Sequence, residues 1–144
     1  EWEGPYEQYY ENGQLWVIGI YKNGKRNDLW KWFYENGQLK YRRNYKNGEW
    51  EGPYEQYYEN GQLRIIGIYK NGKRNGLWKW FYENGQLESK WNHKNGEREG
   101  PYEQYYENGQ LNVKGNYKNG TRNGLWKWFY ENGQLKNYEN FESR

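Results

Sequence analysis

The chain of 144 residues carries 22 Lys and Arg against 19 Asp and Glu, a net charge of +3, and no cysteine. That balance gives no charge-based case for nucleic-acid binding. The lack of thiols excludes disulfides and thiol chemistry and leaves the compartment open. A mean hydropathy of -1.62 leans toward disorder, but 22% of the residues are aromatic. Each buried ring removes roughly 150–250 Å² from water, so the core is expected to be aromatic rather than aliphatic. No apolar run is long enough for a transmembrane segment or a signal-peptide core.

Asn-Gly-Gln-Leu recurs from Asn12, Asn36, Asn60, Asn84, Asn108 and Asn132, 24 residues apart each time. Lys-Asn-Gly recurs from Lys22, Lys46, Lys70, Lys94 and Lys118, and the sixth copy ends instead in Phe141-Glu142-Ser143-Arg144. The units, approximately 4–27, 28–51, 52–75, 76–99, 100–123 and 124–144, form a single array over 1–144. They alternate between GPYEQYYENGQL (from Gly4, Gly52 and Gly100) and LWKWFYENGQL (from Leu29, Leu77 and Leu125), so the true period is 48.

Within each unit the first expected element is a hairpin closed at Asn12-Gly13 by a two-residue turn with positive φ at both positions. This register sets Tyr10 opposite Leu15, Gln8 opposite Val17 and Tyr6 opposite Gly19. In the next unit it sets Tyr34 opposite Leu39, Trp32 opposite Tyr41 and Trp30 opposite Arg43. Period-two alternation then places Tyr6, Tyr10, Leu15, Val17, Tyr21, Trp30, Trp32, Tyr34, Leu39, Tyr41 and Tyr45 on the core face, with a ring over the bare backbone of Gly19 and Gly67. A tight turn at Asn23-Gly24 would oppose Lys22 to Lys25, so a longer loop or bulge is expected around Gly24–Asn27. The glycine frequency and the period-two pattern argue against helices. The expected fold is all-β, an elongated antiparallel meander of six 24-residue hairpin repeats in a solenoid-like, single twisted sheet. Charges alternate between units along Glu7, Lys31, Glu55, Lys79, Glu103 and Lys127, an arrangement expected to set acid beside base and to specify register. It also makes end-to-end self-association a testable expectation, because the two ends carry complementary unit types.

The search for chemistry yields no site. His93 is the single histidine and stands where Tyr21, Tyr45, Tyr69 and Tyr117 stand elsewhere, which reads as a substituted core aromatic rather than a metal ligand. Ser89 and Ser143 are the only serines. The recurrent Glu11, Glu35, Glu59, Glu83, Glu107 and Glu131 all precede turn Asn residues, which points to a turn or surface role. No glycine spacing matches a phosphate loop. The expectation is no enzyme, no cofactor and no metal. Two features could serve binding. One is the ladder of Trp30, Trp32, Trp78, Trp80, Trp126 and Trp128, which reads first as core and, if outward, as a platform for sugars or cations. The other is Trp16, Ile18 and Ile20, echoed by Ile66 and Ile68, on the otherwise polar face, which reads either as a protein contact surface or as ordinary packing against a neighbour.

Tyr57-Tyr58-Glu59-Asn60-Gly61-Gln62-Leu63 and Tyr69-Lys70-Asn71-Gly72-Lys73-Arg74-Asn75-Gly76 resemble the bacterial MORN-repeat variant, and the resemblance covers the whole chain. It implies stacked hairpins in one sheet and protein binding, and the family includes YwqK-type proteins thought to neutralise a partner toxin. No shared functional residues carry over. Asp28, where Gly76 and Gly124 stand, and His93 depart from the pattern. The function expected is a non-catalytic scaffold for an unidentified protein partner, antitoxin-like in its most specific form. The alternative is an extracellular adhesive or glycan-binding array. The sequence leaves the compartment open: the bacterial cytoplasm is favoured, and a secreted or surface location is the alternative if a signal peptide was removed.

Overall fold

A computed structural model describes residues 1–141, so the end of the sixth repeat's departure, at positions 142–144, lies outside the described residues. These contain only strands and turns: β1 (Gly4–Tyr9), β2 (Leu15–Lys22), β3 (Lys25–Phe33), β4 (Leu39–Lys46), β5 (Glu49–Tyr57), β6 (Leu63–Lys70), β7 (Lys73–Phe81), β8 (Leu87–Lys94), β9 (Glu97–Tyr105), β10 (Leu111–Lys118), β11 (Thr121–Phe129) and β12 (Leu135–Phe141). Sheet order follows chain order, so the fold is all-β, a meander of antiparallel hairpins. The chain divides into two compact units, Glu1–Lys73 and the remainder from Arg74.

The two Asn-Gly turns of each repeat differ from expectation, and they differ from each other. At Asn12-Gly13 only the glycine has positive φ, +88°. Gly13 N–H donates to the Tyr10 carbonyl at 3.0 Å, and Tyr10 N–H to that of Gln14 at 2.9 Å. This is a three-residue loop, a type I turn with a left-handed glycine. Asn12 stays out of the left-handed region because its Oδ1 accepts the Gln14 N–H at 2.9 Å. Tyr9 rather than Tyr10 therefore faces Leu15, and a bulge at Trp16 restores Gln8 to Val17 and Tyr6 to Gly19. The same correction applies to Leu39, which faces Phe33, while Trp32–Tyr41 and Trp30–Arg43 stand as expected. Leu15 and Leu39 thus belong to the outward face and not to the core.

The two-residue turn is at Asn23-Gly24, where φ is 53° and 77°, and Lys22 does face Lys25. Both ammonium groups are exposed, where water screens their repulsion. The turn's backbone donors have firm partners on the preceding chain. Gly24 N–H reaches the Trp2 carbonyl at 2.9 Å, and Asn23 N–H reaches Glu3 Oε2 at 2.9 Å. The expected bulge comes later than Gly24–Asn27. Ile20 faces Asn27 and Ile18 faces Lys31, so Gly19 alone opposes residues 28–30. Asp28 makes this possible by adopting φ 62°.

That bulge positions the core. Trp30 folds over Gly19, where an added Cβ would lie 2.0 Å from the Trp30 Cδ2, and Trp126 repeats the arrangement on Gly115. Each indole N–H donates across the strand at 3.0 Å, Trp30 to the Ile20 carbonyl and Trp126 to that of Asn116. In the first unit Val17, Trp30, Trp32 and Tyr45 are buried among Tyr6, Tyr21 and Tyr41. In the second unit Val113, Tyr117 and Trp126 are buried among Tyr102, Trp128 and Phe141. Arg26 lies over Trp30 at 4.9 Å and Arg122 over Trp126 at 4.9 Å, so cations cap the rings on the face that aliphatic side chains would otherwise cover.

Gly19→Ala should therefore destabilise the first unit by at least about 2 kcal/mol, through overpacking against a ring that has nowhere to go. Trp30→Ala should cost about 3–5 kcal/mol. The double variant should cost clearly less than the sum, because the clash disappears with the ring; urea unfolding midpoints measure all three. The two turn types make a second test. Asn47, at φ 51°, should accept glycine within about 0.5 kcal/mol of wild type. Asn36→Gly removes the bonds to Gln38 N–H and the Glu59 carbonyl and should cost about 1 kcal/mol, read from the same titrations.

Candidate interaction surface

The face away from the Trp ladder is read row by row from the strand registers. In the first unit one row runs Glu7, Ile18, Lys31, Arg42, Glu55, Ile66 across β1 to β6. In the second the equivalent row runs Lys79, Lys90, Glu103, Lys114, Lys127, Tyr138 across β7 to β12. The charge alternation expected between units is real in sequence but does not set acid beside base. Glu7 and Lys31 are separated by Ile18, and Glu103 and Lys127 by Lys114. The bases that do meet acids of this series come from the intervening strands β4 and β8. Arg42 forms an ion pair with Glu55, and Lys90 Nζ lies 3.6 Å from Glu103 Oε1. Both pairs are partly exposed, and each is worth below about 1 kcal/mol.

The carboxylates of this face are also held by tyrosines two residues on. Tyr9 and Tyr105 donate to Glu7 and Glu103, and Tyr57 donates to Glu55 at 2.6 Å. Burial, with help from the Glu103 carboxylate, pushes the Tyr105 hydroxyl up to about 12. These glutamates are therefore engaged as acceptors, which leaves the row in the first unit dominated by its isoleucines and in the second by its lysines. The lysine row was legible only once register was known, because Lys90 and Lys114 occupy places held by Arg42 and Ile66 one double repeat earlier.

The five residues singled out as a contact surface do not form one patch. Ile18 and Ile20 share β2, with Ile18 half-buried and Ile20 40% exposed. Ile66 and Ile68 repeat them on β6, with Ile68 50% exposed. Four strand spacings separate the two strips, roughly 19 Å, with Lys31, Arg42 and Glu55 between them. Trp16 belongs to the bulge beside the turn, 38% exposed, its ring 5.9 Å from that of Tyr10. Its equivalents Lys40, Arg64 and Lys136 lean in the same way on Tyr34, Tyr58 and Tyr130. In these four repeats the bulge residue covers the tyrosine that opens the turn, and Trp16 is the one aromatic occupant among them. Leu29 adds exposed apolar surface on the same outward side of β3.

His93 is on the opposite face, buried beside Trp78 and Trp91. Its Nε2 accepts the Trp91 indole N–H at 2.6 Å, which is possible only while that nitrogen is unprotonated. Its Nδ1 is buried without a hydrogen-bond partner. Burial lowers its pKa from 6.5, and Arg74 and Arg98 lower it further, against an opposing backbone contribution at Gly96.

Comparison with protein families agrees with this geometry repeat by repeat. The MORN repeat variant model matches at residues 2–23, 29–47, 50–71, 74–95, 98–119 and 122–143. The chain belongs to the MORN repeat variant family. No curated protein matches it. The crystal structure of accessory secretory protein 1,2 and 3 in Streptococcus pneumoniae is similar at 20% identity, over 78% of this chain and 19% of that one, with a TM-score of 0.27. This MORN-variant chain therefore spans about a fifth of the length of that neighbour. No helix among the described residues is long and apolar enough to cross a membrane.

The histidine makes the second unit sensitive to acid. Its folded pKa lies below its unfolded value, so its neutral form supports folding above pH 6.5. That support is lost as pH falls from 6.5 toward the folded pKa, because the unfolded chain binds the proton first. Thermal midpoints measured from pH 7.5 to 5 should fall for wild type more steeply than for His93→Tyr, which restores the residue of the other repeats.

Proposed function

We propose that this MORN-variant chain is a non-catalytic scaffold that holds a protein partner on the outward face of its first unit. Trp16, Ile18 and Ile20 form the principal contact, and Ile66 and Ile68 a second one. The observation that carries the reading is the exposure of Ile20 and Ile68 at a spacing of 48 residues on a face whose remaining row is charged. Two apolar strips flanking Lys31, Arg42 and Glu55 make a surface with anchors and a polar divider, the pattern of a specific interface rather than of uniform greasiness. In its finer form the partner is a toxin that the scaffold neutralises, as for the antitoxin-like proteins that the repeats resemble.

The test is Trp16→Lys with Ile18→Lys. β-Sheet circular dichroism should be unchanged, since neither residue belongs to the buried core. A protein captured from the native source by wild type and identified by mass spectrometry should bind the variant at least about 100-fold more weakly, as expected when two anchor residues are lost. Unchanged affinity would remove this face from the reading. A captured protein whose toxicity in a growth assay is relieved by wild type, but not by the variant, would support the finer form.

A further inference from the structure

The lysine row of the second unit departs from its counterpart in the first where β10 meets β11. In the first unit Lys31 on β3 faces Ile18 on β2. In the second, Lys127 on β11 faces Lys114 on β10, and Asn116 stands where Ile20 stood. Ammonium groups directly opposite on an antiparallel pair repel, and both side chains are exposed, so folding gains nothing from the change. The cations of the aromatic face are occupied. Arg43 lies over Trp50 at 4.1 Å, and 48 residues on, with the two residue types exchanged, Arg98 lies over Trp91 at 4.5 Å. On the outward face Lys90 pairs with Glu103 at 3.6 Å, and Glu103 also accepts the Tyr105 hydroxyl. Among the described residues neither Lys114 nor Lys127 forms an ion pair.

Between these two lysines the sheet is indented. Lys114, Gly115, Asn116, Leu125 and Lys127 line an open recess of about 270 Å³ at the bulge. That is below the roughly 300–1,000 Å³ of sites that enclose a whole small molecule, so the recess suits a side chain rather than a free ligand. The lining has three parts. Lys114 and Lys127 are two point charges whose Cβ atoms stand about 5 Å apart across the strands, a span that the two oxygens of one carboxylate can bridge. Asn116 Nδ2 donates one hydrogen to the Tyr117 carbonyl at 3.3 Å and has a second to give. Leu125, 50% exposed, offers apolar surface to a residue beside the acid. A uniformly anionic membrane surface fits less well, because Glu103 faces Lys114 from β9 in the same row. A single carboxylate seated between β10 and β11 lies about 7 Å, one and a half strand spacings, from that glutamate's strand.

We infer that the recess between Lys114 and Lys127 binds a carboxylate side chain from an acidic segment of a protein partner, with an apolar residue of that segment resting on Leu125. The lysines supply the charge, Asn116 a directed hydrogen bond, and Leu125 the selection for a peptide over a bare anion. The inference does not rest on the docking proposed for the first unit, since it uses other residues of the second. Failure of the Trp16→Lys, Ile18→Lys test leaves it standing.

The chain is titrated with the capped peptide Gly-Ser-Glu-Leu-Glu-Ser-Gly and, in parallel, with Gly-Ser-Gln-Leu-Gln-Ser-Gly, its neutral isostere. Backbone amide resonances of Lys114, Gly115, Asn116, Leu125 and Lys127 should shift with the acidic peptide alone and saturate. The affinity should fall severalfold between about 0.01 and 0.15 M salt, as the Debye length shrinks from about 30 to about 8 Å. Lys127→Gln should weaken binding about fivefold, the upper end for a partly exposed ion pair. Lys114→Ile with Asn116→Ile, which restores the residues of β2 and β6, should abolish binding while keeping the wild-type urea midpoint, so lost binding is not lost fold. Equal shifts with the neutral peptide, shifts spread over the other lysines, or undiminished binding by the double variant would each overturn the inference. Sedimentation with vesicles of phosphatidylserine and phosphatidylcholine should be the same for wild type and the double variant; its loss in the variant would make the recess a lipid contact and overturn the inference as well.

Discussion

The tryptophan laid over a glycine in the neighbouring strand, its indole N–H bonded to the next carbonyl, is the contact on which the rest depends. A chain with so few aliphatic residues has no other way to make an interior within one sheet. An indole set flat on the backbone of Gly19 reaches zero exposure at Trp30 because the glycine removes the obstruction and the bulge at Asp28 supplies the slack. Everything nearby follows from the size of that ring. Tyr6 and Tyr21 pack against it, and Arg26 closes its open face with a group that is planar and weakly hydrated. A shorter or bulkier cation would do this less well.

The 24-residue period has a second physical cause at the two margins of the strands. The three-residue turns pass hydrogen bonds forward: Tyr10 to the Phe33 carbonyl, Asn12 to that of Glu35, Tyr34 to that of Tyr57, and, in the second unit, Tyr82 to that of Tyr105 and Tyr106 to that of Phe129. The two-residue turns pass them backward, from Gly48 to Arg26, Gly72 to Trp50, Gly96 to Arg74 and Gly120 to Arg98. A turn in this fold is therefore not a free surface loop. Each Asn-Gly is fixed by what the adjacent repeat offers, which is why the same dipeptide adopts two geometries. Where the asparagine side chain can cap its own turn it remains in the ordinary region, and where its backbone N–H has an acceptor 20 residues back it enters the left-handed one.

This explains what could be read from sequence. The far register, Gln8 with Val17 and Trp30 with Arg43, was legible because aromatic alternation fixes it and because an extra loop residue and an extra bulge residue cancel. The turn types were not legible, since the dipeptide is identical in both and the deciding acceptors lie in other repeats. Misreading the turn by one residue moved Leu15 and Leu39 to the wrong face and left everything beyond the bulge correct. Of the outward face, the isoleucines were visible as apolar letters in a polar context. Their separation into two strips, and the lysine row of the second unit, required knowing which strands intervene.

The two faces divide the work differently. On the aromatic face, substitutions among the repeats are compensated: Arg43 with Trp50 becomes Trp91 with Arg98, and a tyrosine becomes His93 beside a tryptophan that donates to it. Compensation of that kind marks positions where burial enforces a partner, since an unpaired guanidinium or imidazole under the rings would be costly. On the outward face nothing compensates. Ile18 in β2 becomes Lys114 in β10, and Ile20 becomes Asn116, with no matching change across the row, because solvent tolerates either. Trp16, Ile20 and Ile68 stand at exposed positions on this face, where folding does not require an apolar side chain. The physical argument for binding therefore rests on that contrast and not on any one apolar side chain.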